Sequence, residues 1–314
     1  MAAAPKVTVL TLSWNKKFHT LEWLDAVGRL EYPNFDVLVV DNGSSDGSPA
    51  AIRKRNPSVT VIENGENLGY SRGFNVGMEH AFGSGADYVL VMNNDAVIDP
   101  EALTALVDVA QTDPKIGFVS GKVFHYFRSE ELQTVGTERH PYLVAGRQIG
   151  FGEEDHGQYD EPAEREISDD VYLLVSRAAF EAVGGYDPEF FIVHENVDWC
   201  IRLREAGFKI MYAPGAKIWH KGKAGGGWSA HFVFYQTRND FVLVAKHAPR
   251  TKALVAAVML AAYLQPKWMI FRVRPTKFAQ VKAYFRGQAE GIAWLLRHAG
   301  GRRARPVPVA ADQR

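Results

Sequence analysis

Residues 35–47 read FDVLVVDNGSSDG. A run of mostly aliphatic and β-branched residues passes directly into a cluster of Asp, Asn, Gly and Ser. A continuous apolar run bounded by turn residues marks a strand buried on both faces, as in a parallel sheet. The same pattern recurs on either side. Val7–Ser13 (VTVLTLS) precedes Trp14-Asn15, VTVIE (59–63) precedes NGENLG, and YVLVM (88–92) precedes Asn93-Asn94-Asp95. Helical segments separate these runs. Leu21, Leu24, Val27 and Leu30 follow Thr20, a candidate N-cap; Ser48-Pro49 opens a second helix; a third lies near Phe74–Phe82; Asp99-Pro100-Glu101 opens a fourth. Strands alternating with helices imply βαβ units, hence an α/β fold with a mainly parallel sheet flanked by helices on both faces. Such sheets bind ligands outside the carboxyl ends of their strands, where all four polar clusters fall.

Further along, IGFVSGKVF (116–124) and VYLLVS (171–176) read as core strands. Between them Arg128–Ser168, about forty residues without a strong apolar run, reads as a long functional or mobile loop. FKIMYA (208–213) and AKIWH (216–220) read as two more strands. KGKAGGGWS (221–229) is glycine-rich, and its 222–227 portion is a candidate lid. His231–His247 reads as a helix, and no internal repeat is present.

The chain has 314 residues, 46% hydrophobic and 23% charged, ordinary for a globular protein. A single cysteine, Cys200, excludes an internal disulfide, and the start carries no signal-like segment; both point to the cytoplasm. The formal net charge is zero, yet from Lys246 onward 14 Lys and Arg face two acids, whereas the preceding residues hold 22 basic against 34 acidic side chains. That asymmetry predicts two parts with two jobs, residues 1–245 and a basic helical region 246–314. ALVAAVMLAAYL (253–264) gives twelve apolar residues before Gln265-Pro266, short of the roughly twenty that span a bilayer. WMIFRVRPTKFAQVKAYFRG (268–287) then interleaves aromatics with Lys and Arg. This region reads either as a helical appendage packed on the first part or on a second subunit, as in a homodimer, or as an interfacial helix on an anionic membrane surface. No nucleic-acid-binding motif accompanies the charge, so no nucleic-acid partner is expected.

The motifs narrow the chemistry. No G-x-G-x-x-G joins strand to helix and no G-x-x-x-x-G-K-[ST] is present, which argues against a nicotinamide-binding Rossmann domain and a P-loop NTPase. Asp41-Asn42 after a buried strand suits hydrogen bonds to a nucleobase and ribose, although the same residues also make plain turns. Asp95 at a strand end beside a nucleotide site suits Mg²⁺ or Mn²⁺. His220 ends a strand, where a lone histidine is more often a hydrogen-bonded terminus than a ligand.

In this order and spacing, VTVLTLSWNKK, VLVVDNGSSDGS, ENLGYSRGFNVG, LVMNNDAVIDP, GGYDPEFFIVHENVDWCIRLREAG and IWH resemble glycosyltransferase family 2, in particular its bacterial rhamnosyltransferase-like members. The resemblance covers about residues 6–245. It implies a GT-A fold, a nucleoside diphosphate sugar donor (dTDP-, UDP- or GDP-linked), a divalent cation and inversion at the anomeric carbon. The acceptor it implies is a polysaccharide or lipid-linked glycan; lipid-linked acceptors sit at the inner membrane face, so the membrane reading of the tail would place a cytoplasmic, peripheral protein beside its substrate. Rhamnose as the sugar rests on the resemblance alone. Carried over, Trp14, Asp41 and Asn42 fall where the family holds base and ribose. Asn67 and Asn75 line the donor site, with Ser13, Asn15, Gly69 and Asn94 of the same motifs beside them. Asp95 matches the last acid of the metal-binding motif, whose first position here is Asn93. His220 matches a histidine that completes the metal site in some members, and Arg238 belongs to a late motif near the phosphates or acceptor.

The departure falls on the catalytic position. The family reads Glu-Asp-x-Asp with the second residue as base, whereas this chain has Glu195-Asn196-Val197-Asp198. An amide cannot take the acceptor proton that inverting transfer releases. Glu195 is the expected replacement base. Asp198, in the first helical turn, is a second candidate that equally suits the helix dipole. Asn196 would position the acceptor. A protein that binds a donor and transfers nothing, a scaffold, is the rival reading. A nucleotidyltransferase is weaker, because SWNKKFHT lacks the glycines its first loop would need.

Overall fold

The computed structural model describes residues 3–139, 146–222, 228–272 and 278–298. The four apolar runs form β1 (Val7–Ser13), β2 (Phe35–Asp41), β3 (Thr60–Glu63) and β4 (Tyr88–Met92). They lie parallel in the order β4-β1-β2-β3, with Ser13 abreast of Asp41 and Asp41 abreast of Glu63. Their carboxyl ends therefore share one edge of the sheet. The connecting helices are α1 (Lys17–Val27), α2 (Ser48–Arg55) and α3 (Gly69–Gly83). On one face α3 buries Phe74, Met78 and Ala81 with Leu10, Leu38 and Val40; on the other, α1 buries Trp23, Leu24 and Val27 with Val7, Val9 and Val39. Helix α3 lies very close to the sheet because Gly77 has no side chain: a Cβ there would stand 2.4 Å from Leu10 Cδ1.

Beyond β5 (Ala96–Ile98), α4 (Ala102–Ala110) leads into β6 (Ile116–His125). The sheet extends past β4 through β11 (Tyr172–Ser176), β6 and β12 (Lys209–His220). Strand β11 is antiparallel to both β4 and β6. It therefore begins where β4 ends. Helices α5 (Arg177–Val183) and α6 (Glu195–Glu205) link it to β12, and β5 pairs with the last residues of β12, setting Ala96 opposite His220.

Several local expectations are corrected. Thr20 is not a cap: α1 starts at Lys17, and the buried Thr20 hydroxyl lies 3.0 Å from Ser13 Oγ and accepts from Asn94 Nδ2 at 3.0 Å. FKIMYA and AKIWH are one strand, whose register shifts between Ala213 and Lys217, where Pro214 has no N–H to pair. The described part of Arg128–Ser168 is not a plain loop. It holds β7 (Arg128–Thr134), the pair β8 (Thr137–Arg139) and β9 (Gly146–Gln148), and β10 (Ala163–Glu164). A small cluster of Phe124, Leu132, Val135 and Tyr212 and the buried Lys122, which holds Asp155 and Asp160 at 2.6 Å each, fix it. Anchoring by one buried cation leaves little trace in a hydrophobicity pattern. Of the proposed lid at 222–227, residues 223–227 lie outside the described residues.

The C-terminal part is helical: α7 (Ala230–His247), α8 (Arg250–Met259), a π-helical turn (Leu260–Leu264), α9 (Gln265–Arg272) and α10 (Phe278–His298). The helix does not stop at Gln265-Pro266; a π-turn directly before a proline accommodates the missing N–H. Lys252–Ile270 is consequently nineteen residues of helix, long and apolar enough to cross a membrane by length and composition, and only 28% buried. Helix α10 lies along α7, and its glycines set the approach: a Cβ on Gly291 would stand 2.6 Å from Phe241 Cδ2.

Candidate active site

The shared strand edge holds most of the residues singled out in the sequence, in two groups. The first bonds to itself. Asn15, at φ +52, accepts from Ser45 N through Oδ1 and donates its backbone N–H to Ser44 Oγ, both at 2.9 Å. Asn42 donates to Asn67 Oδ1 and the Gly69 carbonyl and accepts from Asn64 and Leu68. Asn67 Oδ1 also accepts from Gly69 N at 2.9 Å. Asn75 exchanges two bonds with the Tyr186 backbone, which docks α3 on the GGYDP turn. With Ser13 and Asn94 meeting on Thr20, these side chains fix the loops at the strand edge.

The second group borders the cleft, except for Asp41, which is almost wholly buried at its edge. Trp14 is 52% exposed and lines a cavity of about 230 Å³ with Lys16, Tyr70, Asn93, Asn94 and Asp95. Asp41 accepts from Ser44 N through Oδ2, while its Oδ1 is buried without a partner. An orphaned carboxylate oxygen at a strand end is costly unless a ligand satisfies it. Asp95 Oδ1 lies 3.2 Å from His220 Nε2. Burial pushes Asp95 up, but the hydrogen bond and charge of His220 outweigh it and hold the carboxyl below its usual range. Burial likewise lowers His220, and Asp95 more than reverses it. His220 Nδ1 is 2.9 Å from Gln133 Oε1, an acceptor that fixes the ring and leaves Nε2 toward Asp95. Among the described residues no group of three His, Cys, Asp or Glu could hold a metal ion. The donor set that exists, one carboxylate and one imidazole, fits Mg²⁺ or Mn²⁺ when a ligand supplies further oxygens.

Two acids at this edge escape a reading of strand carboxyl ends. Asp169 and Asp170 precede β11, and because β11 runs antiparallel its start lies beside the end of β4: Asn93 N donates to the Val171 carbonyl at 2.9 Å. The sequence signal was SDDVYLLVS, two acids directly before a core strand. Asp169 accepts from Val171 N, and burial raises it. Tyr186 Oη donates to Asp170 Oδ2 at 3.3 Å. Tyr70 Oη lies 3.1 Å from Asn93 Oδ1 and 3.3 Å from the Asp170 carbonyl. Burial and the charge of Asp169 push Asp170 up to about 7.

The stretch 190–198 enters α6 through two consecutive left-handed residues, Val193 (φ +75) and His194 (φ +72). A β-branched residue at positive φ is strained and persists only when its surroundings dictate it. Asn239 Nδ2 donates to the carbonyls of Ile192 and Val193 at 2.9 and 2.8 Å, and His194 Nε2 meets Asp240 Oδ1 at 2.8 Å. Arg238 pairs with Glu189 and donates to the Asn239 amide oxygen, so it braces this clamp. Glu195 is 5% exposed; its Oε2 is buried without a partner, and burial, then the charge of Asp170, raise it well above the ordinary range. Asn196 Nδ2 donates to the Ser168 carbonyl at 3.1 Å. Asp198 is corrected as a candidate base. It is fully buried, 2.7 Å from Arg202 Nε and 2.8 Å from His247 Nε2, so it joins α6 to α7 and cannot meet a substrate.

Comparison with known proteins now identifies the class. The family model described as "Glycosyl transferase family 2" matches residues 8–166. An N-acetylglucosaminyl-diphospho-decaprenol L-rhamnosyltransferase of Mycobacterium tuberculosis is 28% identical over 307 residues, covering 87% of this chain and 97% of that protein. A poly-beta-1,6-N-acetyl-D-glucosamine synthase of Staphylococcus aureus is 26% identical over 215 residues, 68% of this chain and 49% of that one. Among solved structures, the mannosyltransferase PcManGT of Pyrobaculum calidifontis with GDP-Man and Mn²⁺ superposes with TM-score 0.57 at 18% identity, covering 95% of this chain and 87% of that one. GalNAc-T7 with UDP, GalNAc and Mn²⁺ gives TM-score 0.66 at 13% identity over 95% of this chain and 57% of that one. The fold is GT-A, and the chain belongs to glycosyltransferase family 2.

Proposed function

We propose that the protein transfers a sugar, with inversion, from a nucleoside diphosphate donor to a hydroxyl of a lipid-linked or polysaccharide acceptor. One observation carries this reading: the Asp95–His220 pair stands at the strand edge beside the exposed Trp14 and the orphaned Asp41 oxygen. An aromatic platform and an unpaired carboxylate suit a nucleoside. Asp95 and His220 would hold Mg²⁺ or Mn²⁺, which when bound neutralises a departing diphosphate. The acceptor proton goes to the acids at this edge, of which Glu195 is the one in the family motif, and Asn196 helps place them. The mycobacterial relative is by its name an L-rhamnosyltransferase on a lipid-linked diphospho-N-acetylglucosamine. Its likeness supports a deoxyhexose such as rhamnose on dTDP and a diphospho-lipid acceptor.

Residues 1–245 form the catalytic part in this reading, and 246–314 bring it to the inner membrane face as a peripheral protein. The exposed apolar side chains of α8, the π-helical turn and α9, among them Leu254, Val258, Tyr263 and Ile270, support that placement. Asn196 favours the scaffold reading as the second one.

Thermal shift against dTDP, UDP, GDP and CDP, each with and without Mn²⁺, tests the donor site. Metal-dependent stabilisation by one nucleotide, lost in Asp95→Ala, is expected. No stabilisation by any of the four overturns the donor assignment, and binding without turnover on any acceptor supports the scaffold.

A further inference from the structure

The transfer reading, on which this inference rests, requires a base, and the motif position that should carry it is Asn196. The amide of Asn196 instead donates to the Ser168 carbonyl and so ties the start of α6 to segment 168–170. That segment delivers carboxylates from a different element to the same edge. Four acids stand near it, and their surroundings separate them. Asp198 is fixed by Arg202 and His247. Glu195 is almost wholly buried, with an orphaned Oε2. Asp169 accepts from the backbone two residues on and caps its own turn. Asp170 remains half-buried, and its carboxylate accepts from Tyr186 Oη at a long 3.3 Å, with no cation paired to it among the described residues. It stands beside Asn93, two residues from Asp95, with Tyr70 bridging the Asn93 amide and the Asp170 carbonyl.

We propose that Asp170 is the catalytic base of this protein, replacing from the start of β11 the carboxylate that Asn196 lacks at the start of α6, with the buried Glu195 as its positioning partner. In the step, the Asp170 carboxylate takes the proton of the acceptor hydroxyl as that oxygen forms its bond to the anomeric carbon. The bond from that carbon to the diphosphate breaks on the opposite face, and its electron pair leaves with the nucleoside diphosphate. The proton passes from Asp170 to water on product release. The groups facing Asp170 are Asp169, Glu195, Tyr70, Tyr186 and His220. Burial and the charge of Asp170 raise Glu195 well above its ordinary range, which disfavours a second negative charge beside Asp170.

The test uses the full chain with Mn²⁺, a panel of dTDP-, UDP- and GDP-hexoses, and a short-chain alkyl diphospho-N-acetylglucosamine acceptor. Asp170→Asn should lower kcat by about 10²–10⁴-fold, the span of general-base catalysis. Donor KM and nucleotide-induced thermal shift should stay within about threefold of wild type, the allowance for an isosteric change away from the nucleotide. Adding Asn196→Asp to Asp170→Asn should recover part of the lost kcat, since it returns a carboxylate to the family position. Glu195→Gln should cost less in kcat than Asp170→Asn. An Asp170→Asn enzyme that keeps its kcat, or loses only donor KM, overturns the base assignment and leaves the transfer reading standing. Glu195→Gln losing turnover with donor binding intact makes Glu195 the base, and this arm holds even where Asp170→Asn does not fold. Wild type without turnover on any donor overturns the transfer reading itself.

Discussion

Asp198 and Glu195 lie three residues apart on one helix and meet opposite environments. Burial pushes Asp198 up, but the charge of Arg202, the His247 hydrogen bond and the charge of Lys246 outweigh it and depress the carboxyl far below its usual range. Its stabilising contribution is therefore complete above the unfolded carboxylate value of about 4 and is lost as pH falls toward the depressed folded value. Asp198→Asn should lower unfolding free energy at pH 7 by about 3–5 kcal/mol, the usual effect of breaking a buried pair. Urea melts should also show a flatter acid dependence in the variant; equal slopes for the two proteins would refute the assignment. Glu195 works the other way. Its folded value is raised, so the native state binds the extra proton, and stability falls as pH rises from the unfolded value to the folded one. Glu195→Gln should accordingly raise the melting temperature at pH 8 and gain little at pH 4, read by calorimetry. A site residue that costs stability in this way is expected of a functional carboxyl. Neither fate is legible in the letters Glu-Asn-Val-Asp. Helical spacing places both acids in the first turn and Arg202 four residues after Asp198, but the other groups that face them come from α7 and from the segment before β11.

Among the elements, the parallel strands were legible because burial on both faces leaves an uninterrupted apolar run, and their polar ends followed from that. The Asp169-Asp170 pair was missed for a geometric reason. The rule that ligands lie at carboxyl ends of strands holds for parallel ones, and an antiparallel insertion brings its amino end to the same edge. Sequence period says nothing of direction. The segment 192–194 makes the same point for backbone shape: Val and His give no sign of left-handed conformation, which the two bonds from Asn239 impose. Releasing that clamp should disorder the entry to α6. Asn239→Ala is expected to reduce kcat by about tenfold or more, as small displacements of catalytic groups do, while nucleotide-induced thermal shift survives because the Trp14 side of the cleft is untouched. An Asn239→Ala enzyme with full turnover would show that the strained entry is incidental to the chemistry.

For the whole molecule, the charge asymmetry read from the sequence meets a structural one. The basic part does not stand apart from the site: Gln265 of α9 donates to the Thr237 carbonyl and to Asp240 Oδ2, and Asp240 holds His194, next to Glu195. The helices that carry the exposed apolar face thus brace the entry to α6 from behind. Leu254 and Ile270 are 67% and 66% exposed, and Phe285 and Leu296 of α10 are exposed as well. An apolar face flanked by Lys and Arg suits the boundary of an anionic bilayer, with each cation near the surface adding about 1 kcal/mol at low salt. The protein should therefore sediment with phosphatidylglycerol-rich vesicles and not with neutral ones, and raising salt should release much of it. The double variant Leu254→Glu, Val258→Glu should stay in the supernatant yet turn over a short-chain soluble acceptor normally, because neither residue touches the cleft. Extraction by alkaline carbonate separates a surface contact from a span through the bilayer, and the peripheral reading requires extraction. A wild type equally indifferent to anionic and neutral vesicles would return the exposed face of α8 and α9 to a second protein subunit, which sedimentation velocity of the free protein would then have to reveal as a dimer.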